Sequence, residues 1–230
     1  GPWTVFMRRQ DGVQDFYKTW VEYQSGFGQL DAEHWLGLDN IHRLSNLGTS
    51  RLRVKMCQGS PATDCRVATY SSFGLGDEAS DYELKISGFS YEGSTLVGDS
   101  LSYHNGRPFT TKDNDNDAWG NNCADAYNGA WWYGACHHSN LLGIYGDTRA
   151  AHGPVWHYWN SVGAWDGNPF EYVQMSMSRT STAAVIKLPF MSRPVDTHKN
   201  WQSWPYDESQ CGDRNLATGG VRSGIAVPFE

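Results

Sequence analysis

The residues best suited to chemistry lie in one acidic loop, DNDNDAWGNNC, at positions 113–123. Its aspartates occupy alternate positions, Asp113, Asp115 and Asp117. Alternate side chains of an extended segment point to one side, and hard cations such as Ca²⁺ bind several oxygens, so the spacing suits calcium. An EF-hand would need Gly and Glu where this chain has Ala118 and Ala124. The loop by itself therefore fits either another kind of calcium site or a solvated acidic turn.

Motifs typical of enzymes are missing from the sequence. It contains no G-x-S-x-G, no H-E-x-x-H and no glycine-rich phosphate loop. Paired carboxylates of a glycosidase flank the sugar, whereas Asp115 and Asp117 would lie side by side on one loop. We therefore expect that the protein is not an enzyme.

The five cysteines indicate disulfides rather than a metal or redox motif. Cys57 and Cys65 enclose a Gly/Pro/Asp turn, Cys123 and Cys136 enclose ADAYNGAWWYGA, and neither spacing is C-x-x-C. Disulfides persist in oxidising compartments, so the pairs Cys57–Cys65 and Cys123–Cys136 predict a secreted, extracellular protein. Cys211 is left without a partner of this kind.

The composition narrows the class of protein further. The chain has 230 residues, a formal net charge of -7 and no lysine- or arginine-rich run, so nucleic acid is not an expected partner. No stretch approaches the roughly 18–20 consecutive apolar residues of a membrane-spanning helix. With 25 glycines, 11 tryptophans and 12 tyrosines, turns, short strands and irregular loops are expected to dominate.

Two segments near the N-terminus show helical periodicity. In the first, apolar residues follow a candidate cap at Asp15 and stop at Gly26; in the second, they follow a candidate cap at Asp31. The periodic residues are Phe16, Trp20 and Tyr23, and then Trp35, Leu38, Ile41 and Leu44. The sequence thus predicts two short helices, the second weakened by Gly37.

Alternation of apolar and polar residues predicts an antiparallel sheet. The first strand has Trp3, Val5 and Met7 on one face, and a closing strand is expected at residues 171–179. The other strands are expected at residues 50–57, 65–73, 82–91 and 100–105. No periodicity persists between about 110 and 168, and a loop region of this length in a compact domain is typically functional.

Several segments together are similar to one known family. They are, in order, WTVFMRRQDGVQDFY, WVEYQSGFG, HWLGLDNIHRL, LRV, YSSFG, GDSLSYHNGRPFTTKDNDND, NNCADAYNGAWWYGACHHSNLLGIY and GPVWHYW. Their order and spacing over residues 3–179 resemble the fibrinogen-related domain of ficolins, tachylectins and fibrinogen C-terminal globes. The resemblance implies an α+β fold, a fibrinogen C-terminal-like globule with a small helical subdomain, a central antiparallel sheet and a loop-rich subdomain that binds calcium and ligand.

The resemblance also implies a domain division and a calcium site. The fibrinogen-related domain is expected at residues 1–182, without the family's N-terminal strands, and a C-terminal extension of unknown role at residues 183–230. In the family, calcium is held by two aspartates and two main-chain carbonyls. The matching residues are Asp115 and Asp117 for the carboxylates, and Trp119 and Asn121 for the carbonyls. Asp113 is then expected to support the loop behind them.

A recognition pocket beside the calcium is a further implication of the resemblance. The family binds acetyl groups with an aromatic wall and a histidine, which match Tyr127 and His137, and the peptide bond Ala135–Cys136 is expected to be cis. Where several members carry a tyrosine wall, this chain has Ala150, followed by Ala151. His152 or the nearby Trp156 is a candidate to replace that wall.

Other large side chains have simpler expected roles. Trp131 and Trp132 are expected in the core rather than at a sugar, because large aromatic residues are usually buried. His104 is expected to be structural.

The sequence therefore predicts a secreted, calcium-dependent, lectin-like pattern-recognition domain of innate immunity. It would bind acetylated sugars such as N-acetylglucosamine on microbial glycans, with weak single sites strengthened by homo-oligomers. The alternative is a fibrinogen-type protein-interaction module without sugar binding. Tyr127 with His137 favours the lectin, and Ala150 favours the alternative.

Overall fold

The computed structural model describes residues 2–59, 62–160, 163 and 168–180, and the predicted C-terminal extension with Cys211 lies outside them. The strands are β1 (Thr4–Arg9), β2 (Phe27–Gly28), β3 (His34–Trp35), β4 (Ser50–Gln58), β5 (Asp64–Leu75), β6 (Leu84–Glu92), β7 (Ser139–Asn140), β8 (Val155–Trp156) and β9 (Tyr172–Arg179). Seven of them form one antiparallel sheet in the order β2-β3-β1-β9-β4-β5-β6, and β7 pairs with β8. The predicted central antiparallel sheet is confirmed.

Three short α-helices complete the fold of the described residues. They are α1 (Trp20–Ser25), α2 (Leu38–Ser45) and α3 (Cys123–Ala126). Within the described part of the chain, none of the helices has the length and apolar character needed to cross a membrane. The combination of sheet and short helices confirms the predicted α+β class.

Strand β9 lies at the centre of the sheet, between β1 and β4. Its apolar residues Val173, Met175 and Met177 are buried, as the alternating pattern predicts. Ser176 and Ser178 are buried as well, so both faces of this end of β9 are covered. The last described strand thus joins the first strand to the middle of the sheet.

Strand β1 departs from the predicted alternation. Its pairing with β9 shifts register between Val5 and Met7, an irregularity typical of a β-bulge. As a result Phe6 and Met7 are both buried, whereas Trp3 and Val5 are only partly buried. The Phe6 ring stacks on Phe73 with the centroids 5.6 Å apart, so a residue between the predicted face positions belongs to the core.

Helix α1 begins later than predicted, because its cap is Thr19 rather than Asp15. The Glu22 carboxylate accepts hydrogen bonds from the backbone N and Oγ1 of Thr19, at 2.9 and 2.7 Å. Asp15 instead accepts from the backbone N of Tyr17 at 2.8 Å, a local bond that favours a turn over a helix. Gly26 follows the last helical residue, as predicted.

The second predicted helix is also shorter, and Asp31 does not cap it. His34 and Trp35 form β3, which pairs with β1, and α2 begins only after Gly37. Gly37 has a φ of 98°, and a Cβ there would lie 2.8 Å from the backbone of Ser25 at the end of α1. Sheet pairing and close backbone packing therefore override the helical periodicity of residues 31–37.

Three of the four strands predicted in the middle of the chain are confirmed as β4, β5 and β6. The fourth prediction, at residues 100–105, is wrong, because Ser102–His104 form a 3-10 turn. The Asp99 carboxylate accepts hydrogen bonds from the backbone N of Leu101 and of Ser102, at 3.1 and 3.0 Å. Such local side-chain bonds compete with strand pairing.

Buried aromatic side chains fasten the irregular region to the rest of the fold. Trp131 and Trp132 are completely buried, which confirms their predicted place in the core. The Trp132 ring meets Phe109 edge-on at 5.1 Å, and its Nε1 donates to the carbonyl of Tyr82 at 2.9 Å. The segment without periodicity is thus held by individual large side chains.

Candidate functional site

The acidic loop is built on its asparagines. Asn116 Nδ2 donates to the carbonyl of Phe109, and Asn122 Nδ2 donates to that of Thr111, both at 2.9 Å. Asn122 Oδ1 also accepts from the backbone N of Ala124 at 2.7 Å and of the next residue at 3.1 Å, which caps α3. Asn116, between the aspartates, and Asn122, after them, therefore supply internal hydrogen bonds of the loop.

Asp115 and Asp117 are neighbours in this loop. The backbone N of Asp117 donates to Asp115 Oδ1 at 3.3 Å, and the Asp117 carboxylate accepts from the backbone N of Trp119 and of Cys123, each at 2.8 Å. Burial raises the pKa of Asp117; the two N–H groups oppose that shift, and the nearby Asp115 carboxylate adds to it. Two carboxylates held this close repel each other, and a bound cation would relieve the repulsion.

Asp113 ties the loop to the helical part of the fold. Its Oδ1 accepts from the backbone N of Trp20, the first residue of α1, at 2.9 Å. It also accepts from Thr111 Oγ1 at 2.8 Å. These bonds agree with the supporting role expected of Asp113.

A disulfide turn borders the acidic loop. Both predicted disulfides are present, Cys57–Cys65 and Cys123–Cys136. The peptide bond Ala135–Cys136 is cis, as the resemblance implies. The carbonyl of Gly134 accepts a hydrogen bond from the backbone N of Ala118 at 3.1 Å, so the acidic loop and the cis turn are joined directly.

Three predicted pocket residues meet beside this turn. The half-buried Tyr127 ring meets the His137 ring edge-on, with the ring centroids 4.5 Å apart. The centroid of the His152 ring lies 5.1 Å from that of Tyr127. His137 is buried, its Nε2 lies 2.9 Å from the carbonyl oxygen of Ala151, and burial lowers its pKa to about 4. His137 is therefore neutral at pH 7, with Nε2 hydrogen-bonded to the chain itself.

Ala150 is exposed and Ala151 is half-buried, with a positive φ of 65°. Beside them, Arg149 Nε lies 3.0 Å from the Asp147 carboxylate, and Arg149 Nη2 donates to Asn128 Oδ1 at 3.2 Å. The hydrogen bonds from Arg149 lower the pKa of Asp147. Sequence reasoning missed this charged pair, whose only signal is the short Asp-x-Arg spacing.

Trp156 does not form an exposed wall. It is buried in β8, and its Nε1 donates to the carbonyl of Gly98 at 2.8 Å. Of the predicted pocket residues, Tyr127, His137 and Ala151 are thus brought together. Of the two candidates for the missing wall, His152 lies beside Tyr127, while Trp156 packs in the core.

A second aromatic cluster, also missed, flanks the cis turn. Tyr103 stacks on His138 with centroids 4.1 Å apart, and His157 lies 5.2 Å from His138. Tyr103 Oη accepts a hydrogen bond from the backbone N of Ala135 at 3.2 Å. Since Tyr103 and His157 are distant in sequence from the turn, no local pattern links them to it.

The amino-acid sequence is similar to a known family and to several known proteins. The family model described as fibrinogen beta and gamma chains, C-terminal globular domain, matches residues 1–183. Over 179 residues the chain is 46% identical to tenascin-R of Gallus gallus and to tenascin-R of Homo sapiens, which covers 77% of this chain and 12% of each relative. It is 43% identical over 159 residues to tenascin of Gallus gallus, covering 69% of this chain and 8% of that protein. The chain thus spans a small fraction of these relatives.

Solved structures agree in fold. The fibrinogen-like globe domain of human ANGPTL2 has a TM-score of 0.70 and 38% identity, over 78% of this chain and 81% of that one. Lamprey fibrin D-dimer, complexed with the peptide Gly-His-Arg-Pro-amide, has a TM-score of 0.66 and 26% identity, over 92% of this chain and 66% of that one.

The lectin prediction is wrong. The similarity to tenascins and to the ANGPTL2 globe favours the alternative of a protein-interaction module over binding of acetylated glycans in innate immunity. The lectin prediction rested on Tyr127 and His137. The departure at Ala150, which removes a wall of the expected acetyl pocket, was the better guide.

Proposed function

Because the protein belongs to the family of the C-terminal globular domain of fibrinogen beta and gamma chains, we propose that it is a non-catalytic protein-interaction module. The observation that carries the proposal is its similarity to tenascins and to the fibrinogen-like globe of ANGPTL2. The peptide bound to the related lamprey fibrin supports a protein rather than a sugar as the ligand. The module acts outside the cell as part of a secreted protein, a setting that its two disulfides fit.

The partner binds on the face formed by the acidic loop and the disulfide turn. Tyr127 is half-buried there, in contact with two histidines, and Trp119 is 42% exposed. Tyrosine and tryptophan present large, rigid contact areas and are common anchors of protein interfaces. The exposed Arg149 beside them offers a charged contact at the rim.

Calcium orders this face. Within the described residues, no group of three or more His, Cys, Asp or Glu side chains could hold a metal, so the proposed site includes main-chain oxygens as well. The carboxylates of Asp115 and Asp117 with the carbonyls of Trp119 and Asn121 make an all-oxygen set, which is the chemistry that calcium prefers. Bound calcium would neutralise the repelling carboxylates and hold Trp119 and the adjoining turn in place.

The test begins by passing an extracellular extract over the immobilised protein in millimolar calcium. Each retained protein is then purified and titrated by surface plasmon resonance. We expect saturable binding of at least one purified protein, unaffected by N-acetylglucosamine. Tyr127→Ala should weaken it by about tenfold or more, because truncating a central aromatic anchor costs about 2 kcal/mol or more.

Matched variants separate the parts of the proposal. Tyr91→Ala removes another exposed tyrosine, on edge strand β6, and should leave affinity unchanged. Chelation of calcium and Asp115→Asn should each weaken binding and abolish the rise in melting temperature caused by calcium. Failure of every purified protein to bind would overturn the module, and a melting temperature insensitive to calcium would overturn the metal site.

A further inference from the structure

A cleft of about 870 Å³ opens at the end of the sheet. None of the residues predicted to form the calcium site or the pocket lines it. It forms where β1 and β4 end and β9 begins. Its lining includes the side chains of Gln10, Gln58, Tyr145, Glu171 and Tyr172. A volume of this size is typical of a site that encloses a ligand or a side chain of a partner.

The walls of the cleft are fixed by hydrogen bonds. Tyr145 Oη lies 3.0 Å from the carbonyl oxygen of Gln10 and 2.9 Å from that of Glu171, so it bridges the end of β1 and the start of β9. The backbone N of Glu171 donates to the carbonyl of Cys57 in β4 at 3.0 Å. The cleft is therefore formed before any ligand arrives.

The lining is rich in acceptors and carries a negative charge. Among the described lining residues Glu171 is the only charged one, and within the described part of the protein its half-buried carboxylate has no hydrogen bond or ion pair. Gln58 Nε2 donates to the carbonyl of Asn168 at 2.7 Å, and Gln10 Nε2 donates to Asp11 at 3.5 Å. Each amide thus uses one of its two N–H donors on the protein itself and has its oxygen available as an acceptor.

The aromatic walls suit a cation as well. Lys55 Nζ already lies 5.4 Å from the centroid of the Tyr172 ring, a cation–π distance. The pKa of Tyr145 is raised by burial and then by the carboxylates of Glu171, Glu33 and Asp11, while the Arg9 guanidinium opposes that shift. Arg9 Cζ lies 6.0 Å from the centroid of the Tyr145 ring, so this ring also has a cation within cation–π distance.

We propose that this cleft receives an arginine side chain from an extended segment of the protein partner. The guanidinium pairs with the Glu171 carboxylate and donates to the side-chain oxygens of Gln10 and Gln58, while its stem lies along Tyr145 and Tyr172. Arginine fits better than lysine because its planar fork carries five donors for several fixed acceptors. This inference rests on the proposed function and adds a second contact, separate from the face around Tyr127.

The probe is the neutral-ended peptide acetyl-Gly-Arg-Gly-amide, titrated into the ¹⁵N-labelled protein while amide shifts are followed by NMR. We expect saturable shifts at Tyr145, Glu171 and Tyr172, with a dissociation constant on the order of millimolar for so small a ligand. The same peptide with citrulline in place of arginine keeps the shape without the charge and should bind at least about tenfold more weakly.

Glu171→Gln should also weaken the arginine peptide by about tenfold or more. Glu78→Gln, which removes the same charge at an exposed position away from the cleft, should not. The amide spectrum reports whether each variant is folded, and Gln58→Leu provides a second test that leaves Glu171 intact.

Equal binding of the two peptides, or binding unchanged in both Glu171→Gln and Gln58→Leu, would overturn the arginine site. If the peptide fails to bind while a purified protein partner still does, only this inference fails. If no protein partner binds at all, the proposed function fails instead.

Discussion

His104 joins two separate segments through both of its ring nitrogens. Its Nδ1 lies 2.7 Å from the carbonyl oxygen of Trp132, and its Nε2 accepts from the backbone N of His138 and of Ser139, at 3.2 and 3.1 Å. These partners fix the neutral tautomer with the proton on Nδ1. The structural role that the sequence predicts for His104 is confirmed.

We predict that His104 stays neutral far below the usual titration range of histidine. Burial lowers its pKa to about 3, the Trp132 carbonyl opposes this, and the charges of His137, His138 and Arg107 add to it. In the unfolded protein the pKa is about 6.5, so the unfolded state binds the extra proton between those two values. The free energy of unfolding therefore falls as the pH is lowered below about 6.5, by up to about 1.4 kcal/mol per pH unit from this residue.

Histidine NMR and urea denaturation check this prediction together. Between about pH 7 and about pH 5 most carboxylates stay ionised, so histidines dominate the change in stability. The ring resonances of His104 should not titrate in that range, while the urea midpoint should fall. A His104 that titrates near pH 6.5 in the folded protein would contradict the proposed cause.

At the scale of elements, the connection from β1 to α1 is organised by one buried carboxylate. Glu33 accepts hydrogen bonds from the backbone N of Gln10 at 2.8 Å, of Gly12 at 3.1 Å and of Gln14 at 2.8 Å. Glu33 Oε1 also lies 3.9 Å from Nε of Arg9, and both side chains are almost completely buried. The residues just before β3 thus hold the turn that follows β1.

Glu33→Ala is expected to lower the free energy of unfolding by about 3 kcal/mol or more. The substitution removes the carboxylate beside the buried Arg9 charge and leaves several backbone donors without an acceptor. Burial already lowers the pKa of Arg9 to about 10, which indicates how costly its charge is in this place.

The matched control is Glu92→Ala. Glu92 pairs with Arg53 at 2.9 Å, but both side chains are substantially exposed, so its loss should cost less than about 1 kcal/mol. Urea denaturation of both variants measures the two costs. Similar losses in the two variants would show that the Glu33 site does not stabilise the loop as inferred.

At the scale of the whole molecule, the two disulfides differ in what they join. Cys57–Cys65 links adjacent positions of the paired strands β4 and β5. Cys123–Cys136 spans 13 residues and joins the acidic loop to the cis turn, with Cys123 completely buried. The second bond therefore stabilises the contact between α3 and a turn, two segments that are not strands in the described part of the chain.

We predict that the Cys123→Ala, Cys136→Ala double variant is the less stable of the two disulfide variants. From loop-closure entropy alone, each disulfide is expected to contribute about 2–3 kcal/mol to the free energy of unfolding. Removing Cys123–Cys136 should also cost packing around the buried Cys123. Urea denaturation of this variant and of Cys57→Ala, Cys65→Ala gives both values. A larger loss from the Cys57–Cys65 pair would contradict the prediction.

Much of the architecture could be predicted from the sequence because it rests on local patterns. Alternation is enough to find β4, β5, β6 and β9, and the cysteine spacing is enough for both disulfides. The errors lie where side chains bond locally or where distant backbones pack. Asp15 and Asp99 support turns instead of the expected helix and strand, and β3 replaces a helical turn because it pairs with β1.

The family, the α+β class, the cysteine pairs and the burial of Trp131 and Trp132 could all be inferred from the amino-acid sequence alone. The sequence motifs also identified the acidic loop and predicted that Tyr127 and His137 belong to one site. The hydrogen bond between His137 and the carbonyl of Ala151, and the cleft that Gln10, Gln58 and Glu171 share, depend on the tertiary fold. The three cleft residues are far apart in the sequence and meet because β9 lies between β1 and β4 in the sheet. Local periodicity does not encode which strands pair.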